Sequence, residues 1–288
     1  MTRLIQAYEI SDKLPEIIEQ LACELPQDVL RAMQNAFEEE KAQNSGLGHA
    51  VIDQLLENAK IAAQDMVPMC QDTGYVWVCL EIGNNIQIGG DIFCGVNDAV
   101  AKAYDNYRLR KSLVKNALFD RTNSADNTPA FCEVKFNNSP NFDNCATLHV
   151  MLKGGGSDNA SRVCMLTPGS GLEGIKKALL DCVYEKAANA CPPLVIGVGI
   201  GSTFDKVPGL AKQALLRSVG SAAIDKAHTQ LEAELLDLVN STGLGPGALG
   251  GKYTALAVHV NTAPCHIAAM PLAINMGCSA LRRGSYEI

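Results

Sequence analysis

The hydrophobic period of this chain changes at Tyr75, and that change limits the folds open to it. Before it, "DKLPEIIEQLACELPQDVLRAMQNAFEEEKAQ" and "AVIDQLLENAKIAAQDM" repeat apolar residues at helical spacing, with breaks at Pro26 and at "NSGLGH". After it, short β-branched runs bounded by glycine, asparagine and proline alternate with helical stretches. "YVWVCLEIG" and "NIQIGGDIF" flank a Gly-Asn-Asn turn and read as a hairpin. "VNDAVAKAYDNYRLRKSLV" reads as a helix, and "AFCEVKF" and "ATLHVMLK" as two strands. "KGGGSDNASR" reads as a glycine-rich loop. Ser170 is the expected cap of the next helix, whose Leu172, Ile175, Leu179, Cys182 and Val183 share one face. "CPP" closes that helix, "LVIGVGIGS" reads as a fully buried strand, and two helices run to about Asn240. "GLGPGALGGKY" is a loop, and "TALAVHV" and "PLAINMG" are the last strands expected. This order predicts an α/β (α+β) body with a helical N-terminal segment and mixed short-strand sheets flanked by helices. The expected organisation is one domain over residues 1–288 with two lobes, 1–150 and 151–288.

A hydrophobic content of 47% with 19% charged residues marks a globular chain. The net charge of −7 argues against nucleic acid or an anionic membrane as the main partner, so an anionic substrate needs a local basic patch. The start, "MTRLIQAYEISDKLPEII", places acids where a secretion signal needs an apolar run, and no run reaches the ~18 apolar residues of a membrane helix. The expected location is the cytoplasm. Eleven cysteines are unusual in that reducing compartment. Their count is odd, no spacing is framework-like, and the absence of C-x-x-C excludes zinc ribbons and thioredoxin-type motifs. Buried thiols, a nucleophile, or a cluster with ligands far apart in sequence remain.

The glycine clusters do not fit nucleotide binding. "GVGIGS" has Ser202 where G-x-G-x-x-G needs its third glycine, and "GSGLEGI" has Ile175 where a Walker loop needs lysine. "PMCQDTG", residues 68–74, sets a thiol, an amide, a carboxylate and a hydroxyl side by side at the mouth of a strand. Turn chemistry alone accounts for Asp72-Thr73-Gly74. The three glycines of "KGGGS" leave backbone N–H groups that can form an anion nest beside Lys153. Arg108, Arg110, Lys111, Lys115 and Arg121 gather in one stretch, and Arg282 and Arg283 follow Cys278. Arginine clamps carboxylates, although most such side chains are simply solvated. Cys70, Cys191 and Cys278 each stand at the end of an element, where loops converge, and thiolates are the ligands of iron–sulfur clusters. Cys23, Cys79, Cys94, Cys145 and Cys182 read as core, as does Cys265 in "NTAPCHI". His149, His259 and His266 lack metal-ligand spacing and read as hydrogen-bonded strand residues.

Taken together and in order, "PMCQDTG", "LRKS", "DNTPA", "KGGGSDN", "ACPPLVIGVGIG", "LAKQALLR", "GPGALGG" and "HIAAMPLAIN" resemble the iron–sulfur-dependent class I fumarases. The likeness is greater to the α chain shared by two-subunit fumarate hydratases and L(+)-tartrate dehydratases, and it runs from about residue 40 almost to the C-terminus. The resemblance implies a 4Fe–4S cluster held by Cys70, Cys191 and Cys278, with one iron open to substrate. It implies that Asp72 transfers a proton, and that Gln71, Arg110 and the loop of Gly154, Gly155 and Gly156 bind a substrate carboxylate. The activity implied is reversible hydration of fumarate to (S)-malate or, alternatively, dehydration of L(+)-tartrate. Single-chain members carry a further C-terminal domain that this sequence lacks, so the resemblance implies an α subunit with a separate β partner, assembled as α2β2. A non-catalytic iron–sulfur binding or regulatory protein is the rival from another class, and it has no use for Asp72, Gln71 or Arg110. An enzyme using one cysteine as nucleophile leaves two of the three loop cysteines unexplained.

Overall fold

A computed structural model describes residues 2–43 and 47–288. In chain order the elements are β1 (Arg3–Gln6), α1 (Tyr8–Ser11), α2 (Leu14–Cys23), α3 (Gln27–Gln43), α4 (Gly48–Asp65), β2 (Tyr75–Ile82), β3 (Ile86–Gly89), α5 (Val96–Asn106), β4 (Phe131–Phe136) and β5 (Ala146–Lys153). There follow α6 (Gly155–Asn159), β6 (Arg162–Leu166), α7 (Gly171–Lys186), β7 (Leu194–Ser202), α8 (Val207–Ala214), α9 (Lys226–Asn240), β8 (Ala255–Cys265), β9 (Met270–Gly277) and β10 (Arg282–Glu287). The break expected at "NSGLGH" falls partly on residues 44–46, outside the described residues.

The chain forms two compact units, each built from separated segments. The first comprises Met1–Pro26, Ile61–Gly154 and Arg282–Ile288, and the second Gln27–Lys60 and Gly155–Leu281. A single cut at residue 150 therefore misses the exchange of residues 27–60 and 282–288, and the units divide in this region after Gly154. Both segments join sequence-distant partners by packing and pairing, which sequence order does not reveal.

In the first unit a four-stranded sheet runs β10-β5-β2-β4, with β5 antiparallel to both neighbours and β2 parallel to β4. Side chains alternate across a strand, and the alternation here is regular. Val76, Val78, Leu80 and Ile82 of β2 face Leu152, Val150, Leu148 and Ala146 of β5 rung by rung. All eight belong to one core with Leu14, Ile18 and Leu21 of α2 and Val96, Val100 and Tyr104 of α5. On the other face, His149 pairs through Nε2 with Glu81 at 2.9 Å and through Nδ1 with Ser285 at 2.8 Å. The expected hairpin is absent: β3 pairs in parallel with β1, a strand the helical reading of the N-terminus missed. The helix read through "YRLRKSLV" stops at Asn106, and residues 107–130 are irregular apart from a bridge between Val114 and Asn123.

The sheet of the second unit runs β6-β9-β7-β8, with β7 and β8 parallel and β9 antiparallel to β7 and β6. Helices α7 and α9 contribute Ile175, Leu179, Val183, Leu235 and Val239 to its core. The glycines of "GVGIGS" serve helix packing instead of phosphate binding. A methyl placed on Gly197 would lie 2.1 Å from Ala211 O, and one on Gly199 would lie 2.6 Å from Val207 O, so α8 lies directly on the strand backbone. In α3, Glu40 is fully buried and accepts the backbone N–H groups of Lys252 (2.6 Å) and Tyr253 (2.9 Å), fixing the glycine-rich loop after α9. Three expectations change here. The Ser170 side chain bonds Thr167 Oγ1 at 3.0 Å and does not cap α7, Leu172 is exposed, and "GGSDN" forms the one-turn helix α6 instead of an open loop. The last strand is β10, which pairs with β5.

Candidate active site

The "PMCQDTG" stretch enters β2 as a loop held from several directions. Asp72 Oδ1 accepts the Gly74 N–H at 3.0 Å, the local turn that aspartate favours. Thr73 is 1% exposed, and its Oγ1 donates to the Arg110 carbonyl at 2.6 Å. The Tyr104 hydroxyl lies 3.1 Å from Thr73 O and 2.9 Å from Gly74 O. Asn127, fully buried with φ of 63°, donates through Nδ2 to Gly74 O at 3.1 Å and accepts the Ser112 N–H at 2.7 Å. "DNTPA" therefore braces the same loop as α5 and the Arg110 segment. Gly74 has φ of 80°, and a methyl there would lie 2.7 Å from Lys153 O, so only glycine fits against the end of β5.

This bracing places the half-buried Asp72 carboxylate over Gly154. A methyl on Gly154 would lie 3.2 Å from Asp72 Oδ2 and 3.6 Å from Arg282 Nη2. Arg282 sets a buried cation near Asp72 in a chain of net charge −7, and Lys153 and Arg283 are buried at the same end of the sheet, where they alternate to the other face. Burial is the main cause raising the Tyr104 hydroxyl above its ordinary range; the nearby Arg282 charge opposes that rise, and Asp72 adds to it. Gln71 and Arg110 are exposed beside this loop, and the Cys70 thiol lies 3.6 Å from Gln71 Oε1. The first unit thus brings together Cys70, Gln71, Asp72, Arg110 and Gly154 among the residues singled out in the sequence. Tyr104, Thr73, Asn127 and Arg282 were not singled out as site residues. Thr73 and Asn127 lie within the "PMCQDTG" and "DNTPA" motifs and Arg282 shortly after Cys278, whereas Tyr104 carried no signal.

Cys191 and Cys278 come together in the second unit. Cys191 has a left-handed backbone (φ 56°, ψ 71°), and its carbonyl accepts the N–H of Ser279, the residue after Cys278, at 3.0 Å. The Pro192 carbonyl is bonded by the Gly247 N–H at 2.8 Å, so the "GPGALGG" loop supports the same turn. Gly155 and Gly156 begin α6, and a methyl on Gly156 would lie 2.9 Å from Asn189 O, two residues before Cys191.

The thiols fall into two groups. Burial pushes the Cys79 thiol up to about 12 and those of Cys23 and Cys182 up to about 11, which disfavours the thiolate. Those residues are core, as expected. Cys94 and Cys265 are exposed, and Cys145 is half-buried, so the core reading fails for them. Cys70 and Cys278 are half-buried and Cys191 is exposed, so these residues are less enclosed than the core cysteines. Among the described residues no group of three or more His, Cys, Asp or Glu is arranged to hold a single metal ion. A four-iron cluster separates its thiolates more widely than a single ion does, and soft thiols at loop ends fit it in donor chemistry. His149 is a hydrogen-bonded strand residue as expected. His266 lies instead in the exposed turn between β8 and β9, where its Nδ1 accepts the Ala268 N–H at 3.1 Å.

A family model described as Fumarate hydratase (Fumerase) matches residues 11–287. The chain belongs to the fumarate hydratase family. It is a hydro-lyase. A Methanocaldococcus jannaschii protein whose name gives L(+)-tartrate dehydratase subunit alpha as a provisional assignment is 38% identical over 284 residues, covering 97% of this chain and 98% of its own. The L(+)-tartrate dehydratase subunit alpha of Escherichia coli K12 is 29% identical over 279 residues, covering 95% and 90%. The protein of the same name from Shigella boydii is also 29% identical over 279 residues, with the same coverage. Among the described residues of this family member no helix is long and apolar enough to cross a membrane.

Proposed function

We propose that this hydro-lyase is a cytoplasmic α subunit acting on a four-carbon 2-hydroxy dicarboxylate, with Asp72 as its acid–base group. The observation that carries this reading is the Asp72 carboxylate, fixed by the Gly74 N–H and turned toward the bare backbone of Gly154 near the buried Arg282 guanidinium. In the elimination the C2–O bond breaks, a proton leaves C3, and the departing oxygen takes up a proton. Asp72 exchanges that proton with the oxygen, a role open to a group within about 3 Å of it. Arg110 and Gln71 bind one carboxylate and hold the C2–O bond against Asp72. The backbone of Gly154, Gly155 and Gly156 receives the substrate where a side chain would block it.

Cys70, Cys191 and Cys278 would hold a 4Fe–4S cluster with one iron open to substrate. When bound, such a cluster supplies Lewis acidity at the substrate hydroxyl and carboxylate. The β partner, in an α2β2 assembly, would complete the site. Fumarate and (S)-malate are the substrates implied by the sequence motifs. The names of the relatives at 38% and 29% identity favour L(+)-tartrate, whose dehydration yields oxaloacetate.

The test is iron and sulfide content with the visible spectrum, on anaerobically reconstituted wild type and its Cys70→Ser, Cys191→Ser and Cys278→Ser variants. Turnover of malate, fumarate and tartrate by the α/β complex is measured alongside. About four irons in wild type, lost in each variant, is the expected result. Iron retained in any of the variants refutes that ligand set, and turnover of none of the three acids refutes the substrate class.

A further inference from the structure

Arg282 combines deep burial, unmet hydrogen-bonding capacity and closeness to the proposed acid–base group. It is 1% exposed, and its Nε and Nη1 have no hydrogen-bond partner among the described residues. Its place in the sheet explains the burial. Arg282 opposes Leu152 across the β10–β5 ladder, and Leu152 and Val76 face the apolar core formed with α2 and α5. Arg283, one residue on, points to the other face. The Arg282 guanidinium therefore enters the upper end of a hydrocarbon core, near enough to Tyr104 to act on its hydroxyl, and a methyl placed on Gly154 would lie 3.6 Å from its Nη2 and 3.2 Å from Asp72 Oδ2. A buried charge with unpaired donors is costly to fold, and a neutral apolar side chain would suit this core better. Retaining it against that cost points to a functional use.

We propose that Arg282 is a positioning residue for Asp72: its buried cation fixes the direction of the Asp72 carboxylate over Gly154. This rests on the acid–base role proposed above for Asp72. In the low-dielectric core the attraction between the two charges is stronger than it would be in water and directs the carboxylate. Tyr104, whose hydroxyl faces the consecutive carbonyls of Thr73 and Gly74, keeps the loop that carries Asp72 in register with the arginine.

The test is a double-mutant cycle on the reconstituted α/β complex, combining Arg282→Met with Asp72→Asn and reading kcat, KM and thermal midpoint. Arg282→Met alone is expected to lower kcat on the order of 10- to 100-fold, the effect of a misplaced catalytic group, and to leave KM within about threefold. In the Asp72→Asn background the same change is expected to alter kcat by less than about twofold, because the residue it positions is already disabled. Arg282→Lys, which keeps the charge, should recover part of the loss. The midpoint of Arg282→Met should equal or exceed that of wild type, the reverse of what a purely structural arginine predicts. If Arg282→Met does not fold, Arg282→Gln enters the same cycle. Additive losses in kcat, or a loss carried by KM, overturn the inference while the proposed function stands. Wild type inactive on every 2-hydroxy diacid overturns the function, and the inference with it.

Discussion

Thr73→Val tests whether the Arg110 segment is anchored to the "PMCQDTG" loop by one hydroxyl. Valine matches threonine in shape, so the change removes the 2.6 Å bond to the Arg110 carbonyl and little else at a position 1% exposed. Losing a hydrogen bond costs about 1 kcal/mol net, and leaving a desolvated carbonyl unpaired raises the total to about 1–3 kcal/mol. If that cost falls on the anchoring of Arg110, substrate binding weakens by the same free energy, and about 1.4 kcal/mol is a tenfold rise in KM. The acid–base group is untouched, so kcat should change much less. Steady-state kinetics of the α/β complex give the KM. Thermal unfolding gives the stability, with a shift of about 2–4 °C per kcal/mol for a chain approaching this size. Thr73→Ser keeps the hydroxyl and should behave like wild type. A valine variant with wild-type KM and midpoint, or a serine variant as impaired as valine, would refute the anchoring argument.

Three further outcomes are expected. Asp72→Asn should leave the visible spectrum of the reconstituted complex unchanged while slowing turnover by on the order of 10²-fold or more, and loss of the spectrum would make Asp72 structural. Gly199→Ala should destabilise the chain by about 1–3 kcal/mol, because α8 must move away from β7, whereas Gly169→Ala, with open space at its methyl position, should be nearly neutral by urea denaturation. Glu81 is held down at about 2 from 4.5, first by its hydrogen bond to His149 and then by Lys135, so its stabilisation is complete above about pH 4.5 and lost as pH falls to about 2. The shift corresponds to at most about 3 kcal/mol. The stability gap between wild type and Glu81→Gln should therefore close over that window, and a gap independent of pH would disprove the assignment.

Several elements were legible because their pattern is local. Helices α2, α3, α7 and α9 show their apolar period, strands β2, β4, β5 and β7 show β-branched runs, and Cys70, Cys191 and Cys278 stand out because each interrupts the end of such an element. The motif residues could be named without knowing how the chain folds around them. What the sequence determined by itself was therefore the inventory: mixed α/β elements, loop thiols and a carboxylate beside one of them.

Tertiary structure alone decided the pairings. β3 joins β1 instead of β2, and "RRGSYE" becomes a strand only because β5 offers it a ladder more than a hundred residues away in sequence. The same ladder buries Arg282 and places it by Asp72, which no spacing along the chain could indicate. The glycines of "GVGIGS" gained their meaning only when α8 was seen lying on β7. Hydrophobic period is set by the geometry of one segment and is written in its own residues. Strand partnership, burial of a charge and close helix–strand approach depend on which distant segments meet, and that is settled only when the whole chain packs.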